Sequence, residues 1–494
     1  MRFVTAIFYL FLIADIYANE LEGHVSFVVN NSNSQKTNII IPFKQGMLLR
    51  DSELLLVKGS KQIDFDVKVH LLWPSNGAIY VRALALNFTP DTGDYDLYWK
   101  KSAKVLEFGL FGGSTLDVVF KNDWLVNSSY TPLKSTSSDF QLNWFLKAFQ
   151  KYAYFITNEE EVSKSTKGKL TFLNPSPWLF DRPYTLYLLY FKTGDVKWKK
   201  EAHKAAEFYR QNINEKGYFK LQKRDDLKYL IPSGLVIDYL FYPTPDIIDT
   251  LELMYNNSLS WPLIYNEGKS FWTERNLAAS IALPLALWEI TKKSKFKTRL
   301  DDLIGGTQKG IYIPPTREEG CIKHQYSSHE GTNDETLICS PWMSALLVEQ
   351  LWRYYLMTSD ELSASIIDSL GTNIVNSGTY KGKYKQLQGF TIPHYLLFFG
   401  DSKYNKPNQW TDIQHSCDVA SMVTRSAFIR KKNNKSIIKH QEIIQGLLDS
   451  CKKTIIKPSK LKVWPLRPLR KFNWWFNSTG DMEWILEEIK FPLN

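Results

Sequence analysis

From about residue 22 to 130 the hydrophobic positions fall into short β-branched and apolar runs, over 25–29, 38–41, 53–57, 65–72 and 78–86. Such runs predict strands. Turn residues separate them, at Lys58-Gly59-Ser60, Ser75-Asn76-Gly77 and Pro90-Asp91-Thr92-Gly93. Asn76-Gly77 is the clearest signal, because both residues accept the positive φ of a tight hairpin. Short strands at roughly ten-residue spacing predict a β-barrel or sandwich. After residue 135 the period lengthens. Apolar residues recur at helical spacing over 140–155, then over 178–192, 197–212, 246–256, 271–291, 341–357, 419–430 and 439–452. Asp, Ser and Thr stand near many of these starts, as N-caps do.

Two helical segments read as copies of one unit. Trp178 leads to Thr193-Gly194-Asp195, and Trp342 leads to Thr358-Ser359-Asp360. In both, an aromatic-led helix ends at a Thr-Gly/Ser-Asp turn and a second helix follows; 272–288 is a weaker third copy. About eleven or twelve helices fit this region, which predicts an (α/α) toroid of about five or six pairs burying their inner faces. The expected domains are therefore a leader over 1–18, a β-rich domain over 19–135 and the toroid over 136–494. The leader is read from Met1-Arg2, an apolar run over 3–13 and Ala18, which together describe a signal peptide. That run is too short to span a bilayer. The expectation is a protein secreted or periplasmic, without stable membrane insertion.

The stretch Ile41-Pro42-Phe43-Lys44-Gln45-Gly46-Met47, the strand Phe65-Asp66-Val67-Lys68-Val69 and the run Trp73-Pro74-Ser75-Asn76-Gly77-Ala78-Ile79 resemble the opening RIFT-related barrel of the PcRGLX/YetA-like proteins. That group contains exo-acting unsaturated rhamnogalacturonan lyases. The resemblance covers roughly 100 residues closely and the helical ring as architecture. It implies a carbohydrate-active enzyme. Family members also carry a central β-sandwich, for which this chain has little room.

Charge and aromatic content narrow the partners. A net charge of +10 favours anionic ligands, while the dispersal of Lys and Arg argues against nucleic acid. Aromatic residues make up 14% of the chain, enough to serve both packing and sugar stacking. The expected partner is a polysaccharide or oligosaccharide, anionic in character. Four cysteines, Cys321, Cys339, Cys417 and Cys451, permit two disulfides, and pairing of sequence neighbours is expected. No zinc motif, phosphate loop or nucleotide fingerprint is present, and no cofactor is called for; calcium on acidic loops stays open.

Ligands of a helical toroid bind at its mouth, on loops joining inner and outer helices. Four segments are candidates. In the first, Trp178 offers a stacking face, Arg182 a fork for a carboxylate, and Asp181 and Tyr184 stand beside them; a cap and ion pair at a helix start is an equal reading. The second holds Trp272 and Arg275, with a structural Glu274–Arg275 pair as the competing account. The third, between two cysteines, gathers His324, Tyr326, His329, Glu330, Asn333 and Asp334. The fourth offers His415, beside a capping Asp418. Trp474 and Trp475 either wall the cleft or close the last helix pair. β-Elimination from a uronate needs a base, a group to stabilise the enolate-like charge and an acid; Tyr326, His329, Arg275 and Asn333 supply these. Hydrolysis would use Asp181, Glu330 or Asp334 as paired carboxyls. Elimination is preferred, with hydrolysis second and non-catalytic glycan binding third.

Overall fold

The computed structural model describes residues 21–492 apart from 75–78, 113–114, 138–141, 154–172, 223–224, 266–272, 312–319, 331–332, 385, 457–465 and 467–468. The leader over 1–18 and the Asn76-Gly77 turn lie outside the described residues. Two compact units emerge. One contains the residues up to Ser135 with 189–200 and 237–243; the other contains the rest.

Alternation builds the first unit. Along β7 (Gly93–Lys101) Tyr95, Leu97 and Trp99 are buried while the residues between them are more exposed, as the two-residue period of a half-buried strand demands. β1 (Gly23–Val29) pairs with it and buries Val25, Phe27 and Val29. With β3 (Ser52–Lys58), β4 (Lys61–Ile63) and β8 (Val118–Phe120) they form a sheet of order β4-β3-β7-β1-β8. β2 (Thr37–Pro42), β5 (Asp66–Leu72) and β6 (Val81–Phe88) form a second sheet of order β2-β6-β5. All these strand pairs are antiparallel. Phe88 lies 5.4 Å from Tyr95, and Phe43 meets Trp99 edge-on at 5.4 Å, so aromatic rings fill the space between the sheets. Single bridges pair Asn38 with Thr115 and Leu49 with Tyr80.

The helices are α1 (Asn143–Ala153), α2 (Arg182–Thr193), α3 (Val196–Gln211), α4 (Ser233–Phe241) and α5 (Pro245–Ser258). They continue as α6 (Thr273–Thr291), α7 (Ser294–Ile311), α8 (Tyr326–Glu330), α9 (Pro341–Thr358) and α10 (Glu361–Ser377). The last are α11 (Gln409–Asp412), α12 (Ser416–Lys432), α13 (Ile438–Ile456), α14 (Leu469–Thr479) and α15 (Met482–Glu488). Short β-segments, β9 (His324–Gln325), β10 (Leu337–Cys339), β11 (Thr379–Lys381), β12 (Thr391–Pro393) and β13 (Leu397–Phe398), interrupt them.

One turn recurs. Thr193, Thr291 and Thr358 end α2, α6 and α9, and each hydroxyl donates to the carbonyl four residues back, at 2.7, 2.7 and 2.8 Å. Each also accepts the N–H two residues ahead, at 3.3, 3.3 and 3.2 Å. The residue between, Gly194, Lys292 or Ser359, is left-handed, with φ of 70°, 57° and 56°. The helix is stopped by this αL residue and the chain reverses into the next helix. The third copy keeps the geometry although Lys292-Lys293 replaces Gly/Ser-Asp.

Within the helical unit α6, α9 and α12 pack side by side, α7 and α10 pack on each other, and α13 packs on α12. α9 and α12 are buried on nearly every face, which marks them as an inner layer. α14 packs on α12. Its Asn477 Nδ2 donates to the Phe180 carbonyl at 2.7 Å and its Oδ1 accepts from Thr185 on α2 at 3.0 Å. Arg425 of α12, only 2% exposed, donates through Nε and Nη2 to Asp481 at 3.2 and 2.9 Å, and Trp352 of α9 adds an indole N–H at 2.8 Å. Replacing Asp481 by Ala strands a buried guanidinium. The expected loss is about 3–5 kcal/mol of unfolding free energy, read from denaturant midpoints; a loss below about 1 kcal/mol would contradict this account of the buried pair.

Candidate functional site

The start of α2 is built on strain. Phe180 and Asp181 are both left-handed, with φ of 65° and 54°, a conformation costly for a bulky aromatic residue. Asn473 and Asn477 hold it by donating to the carbonyls of Pro177, Leu179 and Phe180, at 3.1, 3.3 and 2.7 Å. Asp181 then caps two helices at once, because Oδ1 accepts the Tyr184 N–H and Oδ2 the Gly234 N–H, each at 2.9 Å. Position 234 must be glycine, since a Cβ there would lie 2.6 Å from Asp181 Oδ1 and 2.7 Å from the Tyr184 nitrogen.

A second carboxylate ties three more segments. Glu274, in the first turn of α6 and without solvent exposure, accepts the Ser340 N–H at 2.7 Å just ahead of α9. Its other oxygen is 3.4 Å from His324 Nδ1. His324 sits on β9, which pairs with β10, and the Cys321–Cys339 disulfide closes that segment. The second disulfide, Cys417–Cys451, joins α12 to α13. Both pairings are those expected from the sequence.

Around these caps the rings converge. The Arg275 guanidinium lies 5.2 Å above Trp342. Trp342 stacks on His415 at 5.0 Å and lies 5.8 Å from Tyr395 and 5.4 Å from Trp474. Tyr395 meets His329 edge-on at 5.7 Å, and His329 stacks on His324 at 6.0 Å. Trp474 lies 5.0 Å from His415 and stacks on Phe180 at 4.7 Å. Segments near 180, 275, 325, 342, 395, 415 and 474 therefore meet in one cluster. His415 in turn has its Nδ1 3.3 Å from Asp418.

Burial sets the charges. It pulls His329 down to about 3, with His324 and Arg275 adding to the effect, so the imidazole is neutral above acid pH. It lowers Arg275 to about 10 against the pull of Asp226 and Tyr395. Glu274 and Asp418 are pushed above the usual carboxylate range by burial, opposed by His324 and His415 respectively. The indole N–H groups of Trp342 and Trp474 are buried and make no hydrogen bond within the protein. Among the described residues no group of three or more His, Cys, Asp or Glu is placed to hold a metal ion.

Of the residues singled out from the sequence, Arg275, His324, His329 and His415 come together here. Tyr326 does not join them; it stacks on Tyr404 at 4.9 Å and meets Phe398 at 5.4 Å, on the wall of a cleft. Trp178 cannot serve as a sugar platform, being 1% exposed with one face on Phe208 at 4.7 Å. Arg182 is 3% exposed and buried in the fold, so it presents no fork to a ligand. Asp181 is a cap with both oxygens engaged, which removes it as a catalytic carboxylate; burial pushes it up to about 7. Tyr184 supplies the N–H that Asp181 accepts, and burial raises its phenol. Glu274 pairs with His324 rather than Arg275. Asp334 staples two loops, accepting from Thr336 Oγ1 at 2.5 Å and from Ser402 at 2.6 Å, while Asn333 is exposed. Trp272 and the side chain of Glu330 lie outside the described residues. The sequence reading missed Tyr395 and Trp342 as site residues. Tyr395 follows a Thr-Ile-Pro-His run with no helical or capping signal, and Trp342 reads as an inner-face packing residue.

No known protein family and no curated protein matches the chain. Among solved structures, an unsaturated glucuronyl hydrolase specific for heparin aligns over 70% of this chain and 98% of its own, at 14% identity and a TM-score of 0.47. A glycosyl hydrolase family 88 protein from Bacteroides vulgatus aligns over 70% and 99%, at 10% identity and 0.46. A polysaccharide lyase aligns over 70% and 99%, at 11% identity and 0.43. At scores this low the likenesses decide neither fold nor activity.

The lowered His329 gives a pH signature. Between its folded value of about 3 and the unfolded value near 6.5, the native state holds fewer protons than the unfolded chain. Stability must therefore fall as pH drops through that window. Unfolding midpoints at pH 6.5 and 4.5 should show a larger acid loss in the wild type than in His329→Gln; an equal loss in both would refute the burial of a neutral ring.

Proposed function

We propose that the chain is an exported carbohydrate-active enzyme that cleaves an acidic, uronate-containing glycan by β-elimination. The observation that carries this reading is the contact of Tyr395 with His329, beside a half-buried Arg275. Arg275 neutralises the uronate carboxylate, which stabilises the charge that develops when the adjacent carbon loses its proton. Tyr395 takes that proton as the base of the step. The carbon's electron pair becomes the new double bond as the glycosidic oxygen leaves, and Tyr395 returns the proton to that oxygen. His329, kept neutral by burial, packs edge-on against the phenol and holds it in place.

The architecture we infer is a closed ring of six helix pairs, with α2, α4, α6, α9, α12 and α14 on the inside. The bonds from Asn473 and Asn477 to the start of α2 support closure. The β-rich unit is assigned to the RIFT-related barrel on the residues at 41–47, 65–69 and 73–79. The two disulfides support export.

Hydrolysis is the second reading, favoured by one observation. Asp412 is buried and pushed up to about 6 by burial, against the hydrogen bond that Tyr380 donates at 2.6 Å. A carboxyl that keeps its proton near neutral pH is what a general acid requires. The two readings separate in one assay. Mature protein is incubated with polygalacturonate, glucuronan, alginate and glycosaminoglycans, and the ultraviolet absorbance of unsaturated uronate is followed. Elimination predicts growing absorbance on at least one polymer, reduced roughly 10²-fold or more in Tyr395→Phe. Reducing ends without absorbance, abolished in Asp412→Asn, would overturn elimination in favour of hydrolysis.

A further inference from the structure

Beside the cluster lies a cleft of about 300 Å³ whose lining includes Tyr326, Tyr395, Tyr404, Lys406, Asn408 and Asp412. Its size is at the small end of ligand cavities and suits one sugar unit rather than a length of chain. Its walls are fixed from both sides. Asp334 reaches across from the disulfide-closed segment to Ser402 at 2.6 Å, and its backbone carbonyl accepts the Ser327 N–H at 2.8 Å, so the Tyr326 loop and the 402–408 loop are held together. Tyr380 fixes Asp412 by donating to Oδ2 at 2.6 Å, which orients the carboxyl from the side. The cleft is basic at its rim: Lys406 lines it, and Lys403 Nζ sits 5.0 Å over the Tyr404 ring. Tyr404, stacked on Tyr326, is 37% exposed. Tyr395 belongs both to this cleft and to the cluster around His329 and Arg275.

We propose that this cleft is a second sugar subsite, which takes a negatively charged pyranose unit next to the scissile bond and reads its charge through Lys406. The exposed edge of Tyr404 packs on the sugar, and Asn408 and Asp412 bond its hydroxyls. The proposal rests on the glycan reading above, and adds that the unit next to the reacting one is read as acidic or neutral here, at residues distinct from those that move protons. It also gives Tyr326 and Asp334 their places: Tyr326 as the backing of Tyr404, and Asp334 as the clamp between the two walls.

The test is calorimetric. Trigalacturonate, a glucuronic acid trisaccharide and cellotriose are titrated into Tyr395→Phe protein, which is expected to bind without turnover. The same titrations are made with Lys406→Gln and with Tyr404→Ala added, and melting temperatures verify that each variant folds. Expected is at least a tenfold preference for one acidic trisaccharide over cellotriose, reduced in Lys406→Gln to the share that Arg275 supplies, and at least tenfold weaker binding of that trisaccharide in Tyr404→Ala. Asp334→Ala should weaken binding to a similar extent, by releasing the walls. Acidic preference undiminished in Lys406→Gln, with affinity unchanged in Tyr404→Ala, would overturn the subsite and leave the elimination reading intact. Tight acidic binding lost in these variants, but with no turnover by wild type, would support the subsite and overturn elimination. No binding of any acidic trisaccharide would overturn both.

Discussion

The site depends on one buried carboxylate. Glu274 has no contact with solvent, so its charge must be satisfied inside the protein or be given up as a proton. It meets this demand with the Ser340 N–H and with His324, which ties the start of α6 to the start of α9 and to the segment closed by Cys321–Cys339. A long polar loop is thereby fixed against two helix ends. His329 lies one short helix beyond that anchor, and its position against Tyr395 follows from it.

The same logic operates at the other side of the cluster. Asp181 caps α2 and also accepts the first-turn N–H of Gly234 on α4. The left-handed backbone at Phe180 that this needs is held by two asparagines from α14. Strain and burial at these points are tolerated because packed helices surround them, and the result is a set of aromatic and cationic groups with little freedom to move. That is the condition under which a cation and a phenol act on a bound substrate without reorganising first.

Much of the helical organisation was legible because it obeys periodicity. The Thr-Gly/Ser-Asp repeat proved to be a defined turn, and the disulfide pairing followed from sequence neighbourhood. Some elements escaped. β7 was readable in retrospect from the alternation of Tyr95, Leu97 and Trp99, yet the Asp and Tyr between them masked it. The candidate site was legible in part. Arg275 and the histidines stood out as polar residues near loops, where core packing does not explain them. Trp178 misled because a tryptophan beside prolines and an arginine reads equally as a platform or as packing, and only the Phe208 ring on its face decides. Asp334 and Asp181 misled for a related reason: carboxylates that cap backbone N–H groups have the same sequence appearance as carboxylates that react. Tyr395 could not be found, because its role comes from residues more than fifty positions away.

On the proposed reading Arg275, Tyr395 and His329 address one bound sugar. A crystal structure of the Tyr395→Phe protein soaked with the acidic trisaccharide it binds best examines this directly. Expected is a uronate carboxylate on the Arg275 guanidinium, with the carbon beside it facing position 395 and a sugar face near Trp474. A saccharide bound elsewhere, or bound here with a neutral edge toward Arg275, would contradict it.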